Sequence, residues 1–121
     1  MRIYKIAAGK QGTDFNVNAN TLWSSLWKLE ETFQEILDNQ LSFSAGNPLQ
    51  VAKSLEMRNA FFVLDGHHRA IESIIRGQNS IYVHWSDSYP YIDAGIGNVL
   101  PSDKIKIIDF LKTKDLSQIK L

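Results

Sequence analysis

From Thr21 to Asn39 the apolar residues Leu22, Leu26, Leu29, Phe33, Ile36 and Leu37 return every three or four positions, which predicts one amphipathic helix capped by Asn20 or Thr21. On its wheel Trp23, Trp27, Glu30 and Gln34 share a flank of the apolar stripe, so Glu30 is expected between two indoles as a partly desolvated carboxylate. After Asn47-Pro48 the period changes from helical to two. Leu49 to Leu55 reads as a half-buried strand, Met57-Arg58-Asn59 as the turn of a hairpin, and the continuous apolar run Ala60 to Leu64 as a buried strand. Ala70, Ile71, Ile74 and Ile75 then form a helical apolar face that Gly77 ends, and Ser80 to Trp85 alternates again as a further strand.

The remaining segments are patterned more weakly. Arg2 to Ala8 is a short strand, Gly9 to Asn20 a polar loop, and Asp93 to Pro101, with Gly95 and Gly97, another loop. Lys104 to Leu111 is read as a helix capped by Ser102, although its Lys-Ile-Lys-Ile alternation also fits a strand. No repeat or linker interrupts the chain, so residues 1–121 are expected to form a single α+β domain.

Composition narrows the chemistry. The 121 residues are 44% hydrophobic, enough for one core, and contain no run near the roughly 18 apolar residues of a membrane span. The expectation is a cytoplasmic protein with no membrane partner. Absence of cysteine excludes disulfides, thiolate metal sites and thiol catalysis. Thirteen basic residues balance thirteen acidic ones, which disfavours sequence-independent binding to nucleic acid.

The string Asp65-Gly66-His67-His68-Arg69 falls where a strand feeds directly into a helix. Such a junction exposes unpaired helix N–H groups, which attract anions, and Gly66 lets a ligand approach the backbone. Two histidines and an arginine at the positive end of a helix run against ordinary helix design. A bound phosphate reverses that sign, held by the dipole, the N–H groups and Arg69. Asp65 is not a direct phosphate ligand; it is a candidate to orient a histidine, hold Mg²⁺ or accept a proton. The wheel turns His67 into the apolar arc, puts His68 at its edge and points Arg69 away. A metal site from His67, His68 and His84 is a weaker idea, because adjacent helical residues diverge by about 100°.

From Asn47 to Val83 the sequence resembles the ParB/sulfiredoxin-like superfamily, on the strength of LDGHHRA after a hairpin, followed by Gly77 and a strand. The resemblance implies a small mixed sheet packed against helices, with nucleotide phosphates bound at the turn. Gly66, His67, His68 and Arg69 match the Gly-Cys-His-Arg turn of sulfiredoxins, which implies phosphate contacts from His68 and Arg69, beside the backbone approach that Gly66 allows. His67 stands where their thiol would be, so reduction by that mechanism is excluded. The wording Asp-Gly-His-His-Arg is similar to that of the free-serine kinases, which implies phosphoryl transfer to a small hydroxyl; the nucleotide the superfamily resemblance implies is ATP, ADP or CTP, with Mg²⁺. In that reading Asp65 is base or metal ligand, and His67 and Glu30 are further catalytic candidates. The leading expectation is hydrolysis of a nucleotide or transfer of its phosphate to a small acceptor. A nuclease-like or nucleic-acid-binding module and a non-catalytic regulatory domain stand as alternatives.

Overall fold

Polar and apolar residues alternate in Asp14-Phe15-Asn16-Val17-Asn18, and this is enough to make an edge strand once a partner is available. The computed structural model describes residues 10–39, 47–55, 57, 59–92 and 103–119. In it, strand β1 (Asp14–Asn18) pairs antiparallel with β5 (Ser80–Trp85), Phe15 opposite Val83 and Val17 opposite Ile81. This corrects the expectation of a loop there. The partner lies more than 60 residues away, so no local pattern announces the pairing.

The largest departure from the helical pattern is at Leu22–Ser25, which forms strand β2. Helix α1 begins only at Leu26 and runs to Asn39. Neither Asn20 nor Thr21 caps it; a 3-10 turn over Ala19–Thr21 intervenes, capped by the Asn18 side chain. Leu22 is fully buried and shares the core with Leu29, Phe33 and Ile36, so the apolar spacing is real but spans a strand and a helix. β3 (Leu49–Ser54) and β4 (Phe61–Asp65) form the expected antiparallel hairpin. Helix α2 (His67–Ile75) follows at once and closes at Gly77, whose φ is +87°.

β5 agrees with its expected bounds, and a two-residue strand β6 (Tyr91–Ile92) adds to the far end of β3. The stretch from Lys104 to Leu111 is not all helix: Lys104–Lys106 is strand β7, and helix α3 covers Ile107–Lys112. The alternating half of that segment pairs with β2, and the remainder turns its apolar residues into the core. The expected strand Arg2 to Ala8, the loop Asp93 to Pro101 and the Ser102 cap lie outside the described residues.

The result is a mixed α+β arrangement, with one sheet in the order β1-β5-β3-β4-β2-β7 and β6 alongside β3. Leu22, Val51, Val63 and Val83 of the sheet join Leu29 and Phe33 of α1, Ile71 of α2 and Phe110 of α3 in one buried cluster. On the other face Trp23 packs on its cross-strand neighbour Phe62, ring centroids 6.3 Å apart. No helix among the described residues is long and apolar enough to cross a membrane.

Candidate active site

β2 and β4 are parallel neighbours, with Leu22 opposite Phe61 and Trp23 opposite Phe62. Each runs directly into a helix, so two strand-to-helix junctions stand side by side at the same edge of the sheet. One is Ser24-Ser25-Leu26 and the other is Asp65-Gly66-His67. Crevices beyond the carboxyl ends of parallel strands are common ligand sites, because helix N–H groups and strand-end side chains converge there.

Gly66 is the N-cap of α2. Its φ of +100° is a left-handed conformation, and no side chain caps the helix. A Cβ at Gly66 would fall 2.7 Å from Leu49 Cδ2 and 2.9 Å from Arg69 Nη2, so the turn has space only for glycine. The first helix N–H groups therefore keep their donor capacity, and no acidic residue stands in the first turn.

His67 turns inward as its wheel position implied. Its Nε2 lies 3.1 Å from Ser24 Oγ, across the two junctions. Burial holds the imidazole down to about pKa 4, and the Lys28 ammonium pushes the same way; the Asp65 carboxylate and the Val63 backbone carbonyl oppose them. At neutral pH the ring is therefore uncharged. With its proton on Nδ1, Nε2 accepts a hydrogen bond from the Ser24 hydroxyl.

A cleft of about 290 Å³ opens beside this pair. Ser24, Ser25, Lys28, His67 and Lys104 give it polar and cationic walls, while Trp27, Phe62, Leu64 and Ile92 supply apolar surface. Lys28 comes from the first turn of α1 and Lys104 from β7; Lys28 Nζ also pairs with Glu31 Oε1 at 3.0 Å, and Lys104 Nζ lies 3.7 Å from Asp103 Oδ1. Trp27 is 64% exposed, a flat surface open to a ligand.

The other residues singled out in the sequence are placed differently. His68 is exposed and its Nε2 sits 3.0 Å from Glu35 Oε1. Arg69 folds back over Gly66, and its Nη2 donates to the Pro48 carbonyl at 3.3 Å, while Nε is buried without a partner among the described residues. It ties the start of α2 to the chain entering β3 and does not line the cleft. Asp65 ends β4 opposite Gln50, exposed and close enough to His67 to act on it electrostatically.

Glu30 is not between two indoles. Trp23 belongs to β2, and Glu30 Oε1 pairs with Lys114 Nζ at 2.9 Å. Lys114 also lies 5.1 Å from the Phe110 ring centroid, so this pair joins α1 to α3. At 100° per residue, Glu30 is about 160° around the helix from Lys28, which lines the cleft, and the structure does not bring it to the turn. The three histidines also take separate partners: His67 meets Ser24, His68 meets Glu35, and His84 Nδ1 meets Asp14 Oδ1 at 2.6 Å. No three His, Asp or Glu side chains among the described residues gather to hold a metal ion.

Sequence reasoning passed over Ser24, Ser25, Lys28 and Lys104. One local signal was present: Ser24-Ser25 stands immediately before a good helical run, a common way to begin a helix. Lys104 carried none, because its place depends on pairing with Ser25 across β7 and β2. No family model matches this chain, and neither a curated protein nor a solved structure shows significant similarity to it.

Proposed function

We propose that the cleft at the carboxyl ends of β2 and β4 binds the phosphates of a nucleotide, and that the domain hydrolyses the nucleotide or transfers its phosphate to a small acceptor. The observation that carries this reading is the convergence of Lys28 and Lys104 on the cleft formed beside His67 and the uncapped start of α2. Two lysines lining one cleft, which can exchange their acidic neighbours Glu31 and Asp103 for a ligand, favour a multiply charged anion. Phosphoryl transfer needs chiefly positioning and charge neutralisation, which such groups supply. The exposed Trp27 ring offers a nucleobase a stacking surface at the rim.

The resemblance of LDGHHRA to the ParB/sulfiredoxin-like superfamily supports the same reading, and membership of that superfamily is part of the proposal. The roles within the turn change. Gly66 provides the tight left-handed turn, His67 faces the bound group, and Arg69 and His68 hold the turn in shape through Pro48 and Glu35. Mg²⁺ is taken to arrive with the nucleotide.

The test is a thermal-shift and calorimetric panel of ATP, ADP, CTP and GTP, each with and without Mg²⁺. At least one nucleotide should bind, and Lys28→Ala and Lys104→Ala should weaken it. A panel with no binding in any condition would end the proposal.

A further inference from the structure

Ser24 and His67 form a hydroxyl–imidazole couple, and they meet inside the cleft. Ser24 is 3% exposed and His67 half-buried, so the couple is largely shielded from bulk water. A serine hydroxyl is a weak nucleophile until a neighbouring base takes its proton, and 3.1 Å is within the reach that such transfer requires. The uncharged imidazole has a lone pair available for this. Lys28 and Lys104 line the same cleft and can neutralise charge on a reacting phosphate.

The cleft, about 290 Å³, is at the lower limit of ordinary small-molecule sites and accommodates a phosphate chain.

We propose that Ser24 is the first acceptor of the phosphoryl group, with His67 as its base, so that the reaction passes through a phosphoserine. This rests on the nucleotide reading of the cleft. In the first step Ser24 Oγ forms a bond to the terminal phosphorus while its proton passes to His67 Nε2. The bond from that phosphorus to the bridging oxygen breaks, and the electron pair leaves with the nucleoside diphosphate. Asp65, near His67, stabilises the imidazolium so formed. In the second step the oxygen of water, or of a small alcohol, bonds to phosphorus. The Ser24 Oγ–P bond breaks and His67 returns its proton to Oγ, restoring the starting pair; the proton of the attacking hydroxyl stays on the product phosphate or passes to solvent.

The test uses the full chain with γ-labelled ATP, CTP and GTP and Mg²⁺, quenched in acid on the timescale of a single turnover, with nucleotide binding measured in parallel. Label mapped to Ser24 of the unsubstituted chain is the expected result, and needs no variant to fold. Ser24→Ala should abolish it, His67→Gln should slow its appearance by about a hundredfold, and Ser80→Ala, remote on β5, should leave it unchanged. Binding and turnover without label on Ser24, or turnover by Ser24→Ala at the original rate, would overturn the proposal while the nucleotide reading stood. Failure of every nucleotide to bind would remove both.

Discussion

Ser24 Oγ and His67 Nε2 stand 3.1 Å apart across the ends of two parallel strands, joining residues 43 positions apart in the chain. Burial and Lys28 keep the imidazole neutral down to about pH 4. In the unfolded chain it titrates near 6.5, so between those values the unfolded state binds the extra proton. His67 therefore makes stability fall as pH drops from 6.5 towards 4. Its contribution is about 2 kcal/mol after allowance for partial exposure. Urea denaturation of the unsubstituted chain and His67→Gln at pH 7 and pH 5 should show a smaller difference between the two pH values in the variant.

Glu72 sends the pH trend the other way. It is fully buried on α2, and both carboxylate oxygens lack a hydrogen-bond partner among the described residues. Burial raises its pKa, against the opposing pull of Arg76 and His68. The folded state then retains a proton that the unfolded chain has lost, so this group lowers stability as pH rises above about 4.5. Glu72→Gln should flatten that part of the profile and raise stability at pH 7 by about 1–2 kcal/mol. A loss of stability at pH 7 would show that the carboxylate is paired in solution.

Gly66 should tolerate no side chain. At φ +100°, with Leu49 and Arg69 within 3 Å of where a Cβ would sit, Gly66→Ala must strain the backbone and displace neighbours. The expected cost is about 2–4 kcal/mol, measured as a shift in the urea midpoint at constant slope. By contrast, Gly77 meets nothing within 4 Å, so Gly77→Ala carries the left-handed strain without a collision. It should cost less, about 1 kcal/mol.

Arg69 and Lys104 should divide stability from binding. Arg69→Ala removes the bond to Pro48 O and should destabilise the fold by about 1–3 kcal/mol, because its partner carbonyl loses a charged donor. Lys104→Ala should leave stability nearly unchanged and weaken nucleotide affinity about tenfold, with a shallower salt dependence. Calorimetric titration at two salt concentrations, alongside denaturation, separates the effects. Equal affinity in Lys104→Ala would show that the phosphates lie elsewhere.

Binding of a polyanion beside His67 should also move protons. Negative charge in the cleft favours the imidazolium, reversing part of the depression caused by burial and Lys28. Binding near pH 5 should therefore take up protons, seen as a binding enthalpy that varies with the ionisation enthalpy of the buffer. His67→Gln should remove that dependence.

Much of the scaffold was legible because it is local. The hairpin β3–β4, the helix after Gly66 and strand β5 each carry their own period and their own turn residues. The inward direction of His67 followed from the same helical period. Less could be read at Leu22–Ser25, where apolar spacing continues unbroken from strand into helix. Only β4 on one side and β7 on the other make those four residues extended. Helical spacing alone places Ser24 inside a helix and Glu30 beside two tryptophans, whereas Ser24 lies near the end of β2 and Glu30 pairs with Lys114.

By itself the sequence determined which segments are periodic, where the chain must turn at Gly66, and that Asp65 to Arg69 concentrates titratable groups at a helix start. Those properties depend on side-chain spacing and on the backbone freedom of single residues. The tertiary structure decided which other groups meet that turn. Ser24, Lys28 and Lys104 reach it through strand pairing and helix packing between distant segments, and such contacts leave no period in the chain to read.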